Sequence, residues 1–190
     1  GLNSGWQDAR GACGGCSAVK NFIAPPTQSL PSPEIFFLSN IDEDEFLQRI
    51  ILFDTGIARP ATRGLNVVLD AYLSRDAERY AAIRESLEIH DRMVEALNVG
   101  DYRSLGVHTD RYWELRCILD PDATNSKIKF LFESPSLREL MHGGLLSGAG
   151  GGGFAVLIAN EHGSSELRNQ LRNLRNKKAF SDSRVVDYSL

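Results

Sequence analysis

Ser147-Gly-Ala-Gly-Gly-Gly-Gly-Phe154, running directly into Phe154-Ala-Val-Leu-Ile-Ala159, is the stretch on which the reading of this chain turns. The apolar run behind the glycines reads as a buried strand. Each ordered glycine costs about 0.5–1 kcal/mol relative to alanine, so four in succession at 150–153 have a use where backbone must pass through positive φ and come close to another group. Consecutive amides without side chains can also form an anion-binding concavity. A flexible linker fits the composition, but a linker seldom feeds straight into a buried strand. The run is therefore expected to be a loop facing phosphate or substrate.

Downstream, Ser164 to Lys178 has helical spacing, with Leu167, Leu171 and Leu174 inward and the basic residues 168–178 on a solvated face. Arg184-Val-Val-Asp-Tyr188 reads as a closing strand. Upstream, Pro25, Pro26, Pro31 and Pro33 mark a non-helical connection and a boundary. Two strand-like runs follow, Glu34–Leu38 and Arg49–Phe53, with the acidic Asp42–Glu45 between them as a solvated turn.

Past Asp54-Thr-Gly56 helical spacing takes over. Leu65, Val68, Leu69, Tyr72 and Leu73 share one face; Tyr80, Ile83, Leu87, His90, Val94 and Leu97 form the next seam. Gly100 ends that helix, and Asp101 caps another carrying Leu105, His108, Tyr112, Leu115 and Leu119. Pro121 stops it, a helix covers about 126–133, and Ser134-Pro135 starts one that runs to Gly143-Gly144. Strands first, helices in the middle, then strand–helix–strand gives an α+β chain with an antiparallel sheet.

A net charge of −4 gives no reason to expect nucleic acid or an anionic membrane as partner, and no apolar run approaches the length of a membrane span. Three cysteines, an odd number, do not make a disulfide framework; a reducing cytoplasm is expected. Cys13-Gly-Gly-Cys16 has redox or metal spacing but no second pair, so small packed thiols are the expectation, with Cys117 packed in its helix. His90 and His108 fall on the seams of consecutive helices, about equally far from Gly100. They read as an interior pair at one level of a helical hairpin.

Three segments read together resemble the galactokinase, homoserine kinase, mevalonate kinase and phosphomevalonate kinase superfamily, and within it L-fucokinase. They are Gly5-Trp-Gln-Asp8, Asp54-Thr-Gly-Ile-Ala-Arg-Pro-Ala61 and Leu145-Leu-Ser-Gly-Ala-Gly-Gly-Gly-Gly-Phe154. The segment Trp113-Glu-Leu-Arg-Cys-Ile-Leu-Asp-Pro121, with Asn125 after it, adds to the likeness, which runs from residue 3 to the end. The resemblance implies a ferredoxin-like antiparallel sheet packed with helices, the superfamily's C-terminal domain, over residues 25–190. Residues 1–24 would be the end of an N-terminal, ribosomal-S5-like kinase domain.

The resemblance also implies roles. Asp8 would be the catalytic acid near the sugar hydroxyl that attacks the γ-phosphate of ATP; a carboxylate there can accept the proton and orient the nucleophile. Trp6, Gln7, Thr55 and Gly56 would line the sugar pocket. Gly148, Ala149, Gly150, Gly151 and Gly152 would approach the phosphates, or brace the loop that does. The main phosphate loop, the Mg²⁺ ligands and the rest of the N-terminal half would lie upstream of Asp8, so no residue here is assigned to a metal, and the isolated chain is expected to be inactive. Ala9, Asn3-Ser4 and Pro60 depart from the family pattern. The implied function is the C-terminal portion of an ATP-dependent sugar 1-kinase acting on L-fucose or D-arabinose, possible as one half of a bifunctional fucokinase/GDP-fucose pyrophosphorylase. A heptose-phosphate kinase of the same superfamily, or a non-catalytic kinase-like binding domain, is the alternative.

Overall fold

The computed structural model describes residues 18–23, 32–37, 41–58, 62–148 and 150–188. Strands β1 (Ala18–Ile23) and β2 (Ser32–Phe37) form an antiparallel hairpin with Ala18 opposite Phe37 and Ile23 opposite Ser32. The pair straddles the boundary that the prolines suggested.

The next strand is preceded by a helix. Asp42, Glu43, Asp44 and Glu45, read in sequence as a turn, open α1 (Glu43–Arg49): the Asp42 carboxylate accepts the Glu45 amide at 2.9 Å, and the first turn carries three carboxylates. Acidic side chains at a helix N-terminus complement its dipole, so the cluster that looked like a solvated turn is a helix start. Strand β3 (Ile50–Asp54) follows without a break, and then α2 (Thr62–Leu73), α3 (Ala77–Asn98) and α4 (Tyr102–Leu119). Gly100 takes φ +70° between α3 and α4, and Asp101 caps α4 through the Ser104 amide at 3.0 Å, as the sequence indicated. A short 3₁₀ turn (Pro121–Ala123), α5 (Ser126–Glu133) and α6 (Pro135–Arg138) lead to β4 (Met141–Leu146), β5 (Phe154–Ala159), α7 (Ser164–Leu174) and β6 (Arg184–Val186).

The strands β3, β4, β5 and β6 form one sheet in the order β4-β5-β3-β6, antiparallel throughout. Strand–helices–strand–strand–helix–strand with the first and third strands central is the split βαβ, ferredoxin-like arrangement. The fold expected from the resemblance is thus the fold observed.

Strand β4 is a correction. Gly143 and Gly144, read as a helix end, sit inside the strand, and α6 stops at Arg138. Met141 pairs with Ala159 and Gly143 with Ile158, so β4 carries one extra residue, a bulge at His142. The glycines are there because α4 crosses β4 at backbone contact: a Cβ on Gly143 would overlap the Gly106 carbonyl and lie 2.8 Å from Asp110 Oδ1. The Asp110 carboxylate accepts the Gly144 amide at 2.8 Å and pairs with Arg138 at 2.6 Å. This supplies a partner on the side of the edge strand away from β5. Burial lifts the Asp110 carboxyl above the usual carboxylate range, opposed by the Gly144 N–H and the Arg138 guanidinium.

Alternation along β3 and β5 feeds two clusters. Ile51, Phe53, Ala155 and Leu157 join Trp113, Ile128, Leu131, Phe132 and the three α7 leucines 167, 171 and 174. Ile50 and Ile158 join Tyr102, Leu105 and Ala96. The predicted inward face of α7 is the observed one. The α2 and α3 faces are so only in part: Val68, Ile83 and Leu97 pack against the core, but Leu69, Tyr72, Leu73 and Leu87 are exposed, whereas Ala71, Ala82, Ile89 and Ala96 are buried. The packed side of α3 is thus centred on Ala82, Ile89 and Ala96, rotated from the predicted seam so that Leu87 faces outward. The same rotation removes His90 from the interior. Its side chain is 43% exposed and 3.5 Å from Asp91, while Ile89 is buried; His108 is half-buried beside the buried Thr109. The reading of these histidines as an interior pair is corrected accordingly. Cys117 packs against the main core, and burial pushes its thiol pKa up.

Candidate phosphate-loop site

Thr55 follows the last residue of β3 and is fully buried. Its amide and its Oγ1 both donate to the Gly153 carbonyl, at 2.9 and 2.8 Å, and the Gly153 amide returns a bond to the Ile57 carbonyl at 2.9 Å. Oγ1 also accepts the Ile57 amide at 3.3 Å. Gly56 takes φ +67°, and a Cβ there would meet the Asp182–Ser183 backbone at 2.6–2.9 Å, so only glycine fits the turn. Its amide is held by the Asp54 carboxylate at 3.0 Å, and Asp54 is 3.4 Å from Arg184 of β6.

The glycine loop is therefore sewn to the end of β3. Its other side rests on the connection after α4. Asp120 caps the 3₁₀ turn through the Asp122 amide at 3.0 Å. The Gly151 amide donates to the Ala123 carbonyl, and Gly150 packs so that a Cβ would lie 2.8 Å from that of Ala123. Asn125 donates from Nδ2 to the Gly151 carbonyl at 2.9 Å. Arg116 Nη2 reaches the Gly148 carbonyl at 3.4 Å. Gly148, Gly150, Gly151 and Gly153 all have φ between +74° and +81°, the left-handed region that a side chain disfavours. Gly150, Gly151 and Gly152 are buried, and Gly148 is exposed.

Two amides of the loop, those of Gly151 and Gly153, are thus committed to protein carbonyls, which leaves them unable to serve an anion. This geometry favours bracing over direct cradling for that half of the loop. Trp113, which begins the Trp…Leu-Asp-Pro segment, is buried against Phe132 with ring centroids 5.3 Å apart, holding α4 to α5.

Thr55, Gly56, Gly148, Gly150, Gly151 and Gly152 are brought into one site, together with the Leu119-Asp120-Pro121 connection. Trp6, Gln7, Asp8 and Ala149 lie outside the described residues, as do Cys13 and Cys16. Sequence reasoning gave no role to Asn125, Arg116 or Ala123. Asn125 carried a detectable signal, an N-cap residue ahead of α5; its reach to a loop 26 positions away did not. Among the described residues no group of three or more His, Cys, Asp or Glu side chains is placed to hold a metal ion. No helix among them is long and apolar enough to cross a membrane.

No family model matches the chain. A bifunctional fucokinase/GDP-fucose pyrophosphorylase of Arabidopsis thaliana is 30% identical over 191 residues, spanning all of this chain and 17% of that protein. L. major mevalonate kinase, solved with R-mevalonate, superposes with a TM-score of 0.63 at 21% identity over 83% of this chain and 46% of its own. Lactococcus lactis galactokinase, solved with galactose, gives 0.53 at 14% identity over 85% and 49%. At these identities the solved kinases speak for the fold alone, and the chain spans less than half of each. The chain is thus similar in sequence, along its whole length, to part of a fucokinase-bearing protein, and it has the fold of part of mevalonate kinase and galactokinase.

Proposed function

We propose that this chain is the C-terminal portion of an ATP-dependent sugar 1-kinase that phosphorylates L-fucose or D-arabinose. Residues 1–24 would be the end of the N-terminal kinase domain and residues 25–190 the C-terminal domain. The observation that carries this reading is the meeting of three family-like segments at one loop: Thr55 on Gly153, Ala123 and Asn125 on Gly151. The 30% identity along the whole chain to a fucokinase-bearing protein supports the sugar class.

In this reading the Asp8 carboxylate takes the proton of the attacking sugar hydroxyl, while Trp6 packs on the sugar face and Gln7 bonds its hydroxyls. Thr55 and Gly56 shape the end of β3 beside that pocket. The loop at 148–152 braces the nucleotide's phosphate environment; the Gly151 and Gly153 amides are committed to protein carbonyls, and among the described residues the Gly148, Gly150 and Gly152 amides are the candidate donors. Phosphoryl transfer draws its catalysis from positioning and charge neutralisation. Mg²⁺ supplies the charge neutralisation when bound with ATP. Its ligands are expected upstream of Asp8, and no step here runs through it.

The test is ADP release by the complete protein over a sugar panel with ATP and Mg²⁺. L-fucose or D-arabinose should drive turnover with the 1-phosphate as product, and the 190-residue chain alone should not turn over. Turnover with a heptose phosphate instead would move the chain to that kinase class. Absence of turnover with every sugar would leave a kinase-like binding domain.

A further inference from the structure

We propose that Asn125 is a positioning residue that aims one backbone amide of the glycine loop, and that it does so through a bond separable from its role as a helix cap. Oδ1 accepts the Lys127 and Ile128 amides at 3.0 and 3.1 Å, starting α5, while Nδ2 donates to the Gly151 carbonyl at 2.9 Å. Both ends of one amide side chain are therefore used, and in opposite senses.

The consequence lies in the peptide that joins Gly151 to Gly152. A trans peptide is planar, with its C=O and N–H pointing in opposite directions. Holding the Gly151 carbonyl toward α5 turns the Gly152 N–H away from it. Gly151 itself adopts φ +74°, and glycine on both sides leaves this plane free to rotate unless something holds it. The Gly151 amide is held separately by the Ala123 carbonyl. The two bonds, on either side of the same Cα, define both peptide planes at Gly151. Two other side chains act alike on the loop's carbonyls: Thr55 on Gly153, which points the Phe154 N–H, and Arg116 on Gly148, at a longer 3.4 Å. Asn125 is the one of the three that also nucleates a helix, so the loop's geometry and the start of α5 depend on a single residue.

The part of this inference that concerns catalysis rests on the kinase reading; the part that concerns the loop does not. Asn125→Asp separates the two jobs. Aspartate keeps the oxygen that caps α5 and is as good a cap as asparagine, but it cannot donate to Gly151 and places a carboxylate against that carbonyl. In the complete protein, amide hydrogen exchange across 148–153 should rise about tenfold, the loss of one hydrogen bond, while exchange in α5 stays unchanged. With the sugar substrate identified, kcat should fall by about tenfold or more while the sugar KM changes little.

Unchanged exchange in the loop overturns the proposal. So does an equal rise in the loop and α5, which would make Asn125 a cap alone. If the wild-type protein phosphorylates no sugar, the kinase reading fails, and the exchange result still decides whether Asn125 orients the loop.

Discussion

Thr55 binds the Gly153 carbonyl twice, from its amide at 2.9 Å and from its hydroxyl at 2.8 Å, across a sequence separation of 98 residues. One oxygen thereby anchors the end of the glycine loop to the end of β3. The hydroxyl also accepts the Ile57 amide. Thr55→Val keeps the shape and the backbone bond but removes both bonds of the hydroxyl in a site closed to water, leaving the Ile57 amide without its acceptor. The variant should lose about 1–3 kcal/mol, whereas Thr55→Ser should lose less than half as much. Urea unfolding midpoints with unchanged m-values check this; a valine variant as stable as wild type would remove Thr55 from the role assigned to it.

Gly143 and Gly100 make opposite predictions for the same change. At Gly143 an alanine Cβ would collide with the backbone of Gly106, so α4 and β4 would have to separate; Gly143→Ala should cost about 3 kcal/mol or more. At Gly100 nothing lies within 4 Å, and only the left-handed φ of +70° opposes a side chain. Gly100→Ala should cost about 1–2 kcal/mol. Thermal unfolding of the pair ranks them, and a reversed order would contradict the crossing geometry.

Tyr188 donates its hydroxyl to the Ile50 carbonyl at 2.8 Å, and burial pushes its pKa from the ordinary 10 up to about 12. A folded pKa above the unfolded value means the folded state holds its proton longer. The associated stability is fully present below pH 10 and is lost as pH rises through 10 to about 12. Tyr102, raised by burial too, adds to the same fall. Denaturant titrations at stepped alkaline pH should show a shallower decline in Tyr188→Phe. An identical slope in that variant would show that this hydroxyl does not drive the decline.

The packing of α2 and α7 separates sharply on substitution. Leu171 is wholly buried among the sheet and α5 residues, so Leu171→Ala should cost about 2–5 kcal/mol. Leu73 is 74% exposed, and Leu73→Ser should stay within about 0.5 kcal/mol of wild type. Comparable losses from both would contradict the exposed placement of the α2 face.

Where a segment's structure depends on its own residues, its sequence was enough. The leucines 167, 171 and 174 lie on one side of α7, Asp101 caps α4, and the apolar run 154–159 is a strand. The glycine loop could be recognised for the same reason, since only glycine suits four positive-φ positions in one short turn. The α3 seam shows where periodicity runs out. A helix with apolar residues on two adjacent stripes does not say which stripe meets its neighbour, and only the packed fold puts Ala82, Ile89 and Ala96 inward and Leu87 outward.

Strand β4 and the partners of the loop were decided at longer range. Gly143-Gly144 stops a helix when only local preferences act. In the folded chain the same pair is a strand, because Gly106 of α4 needs a bare backbone to lie on and Asp110 supplies the Gly144 amide with an acceptor. Likewise, no local pattern joins Thr55 to Gly153 or Asn125 to Gly151. Local hydrogen bonding and one-sided burial are written along the chain, while close backbone crossings and loop anchors form only once distant segments have been packed against each other.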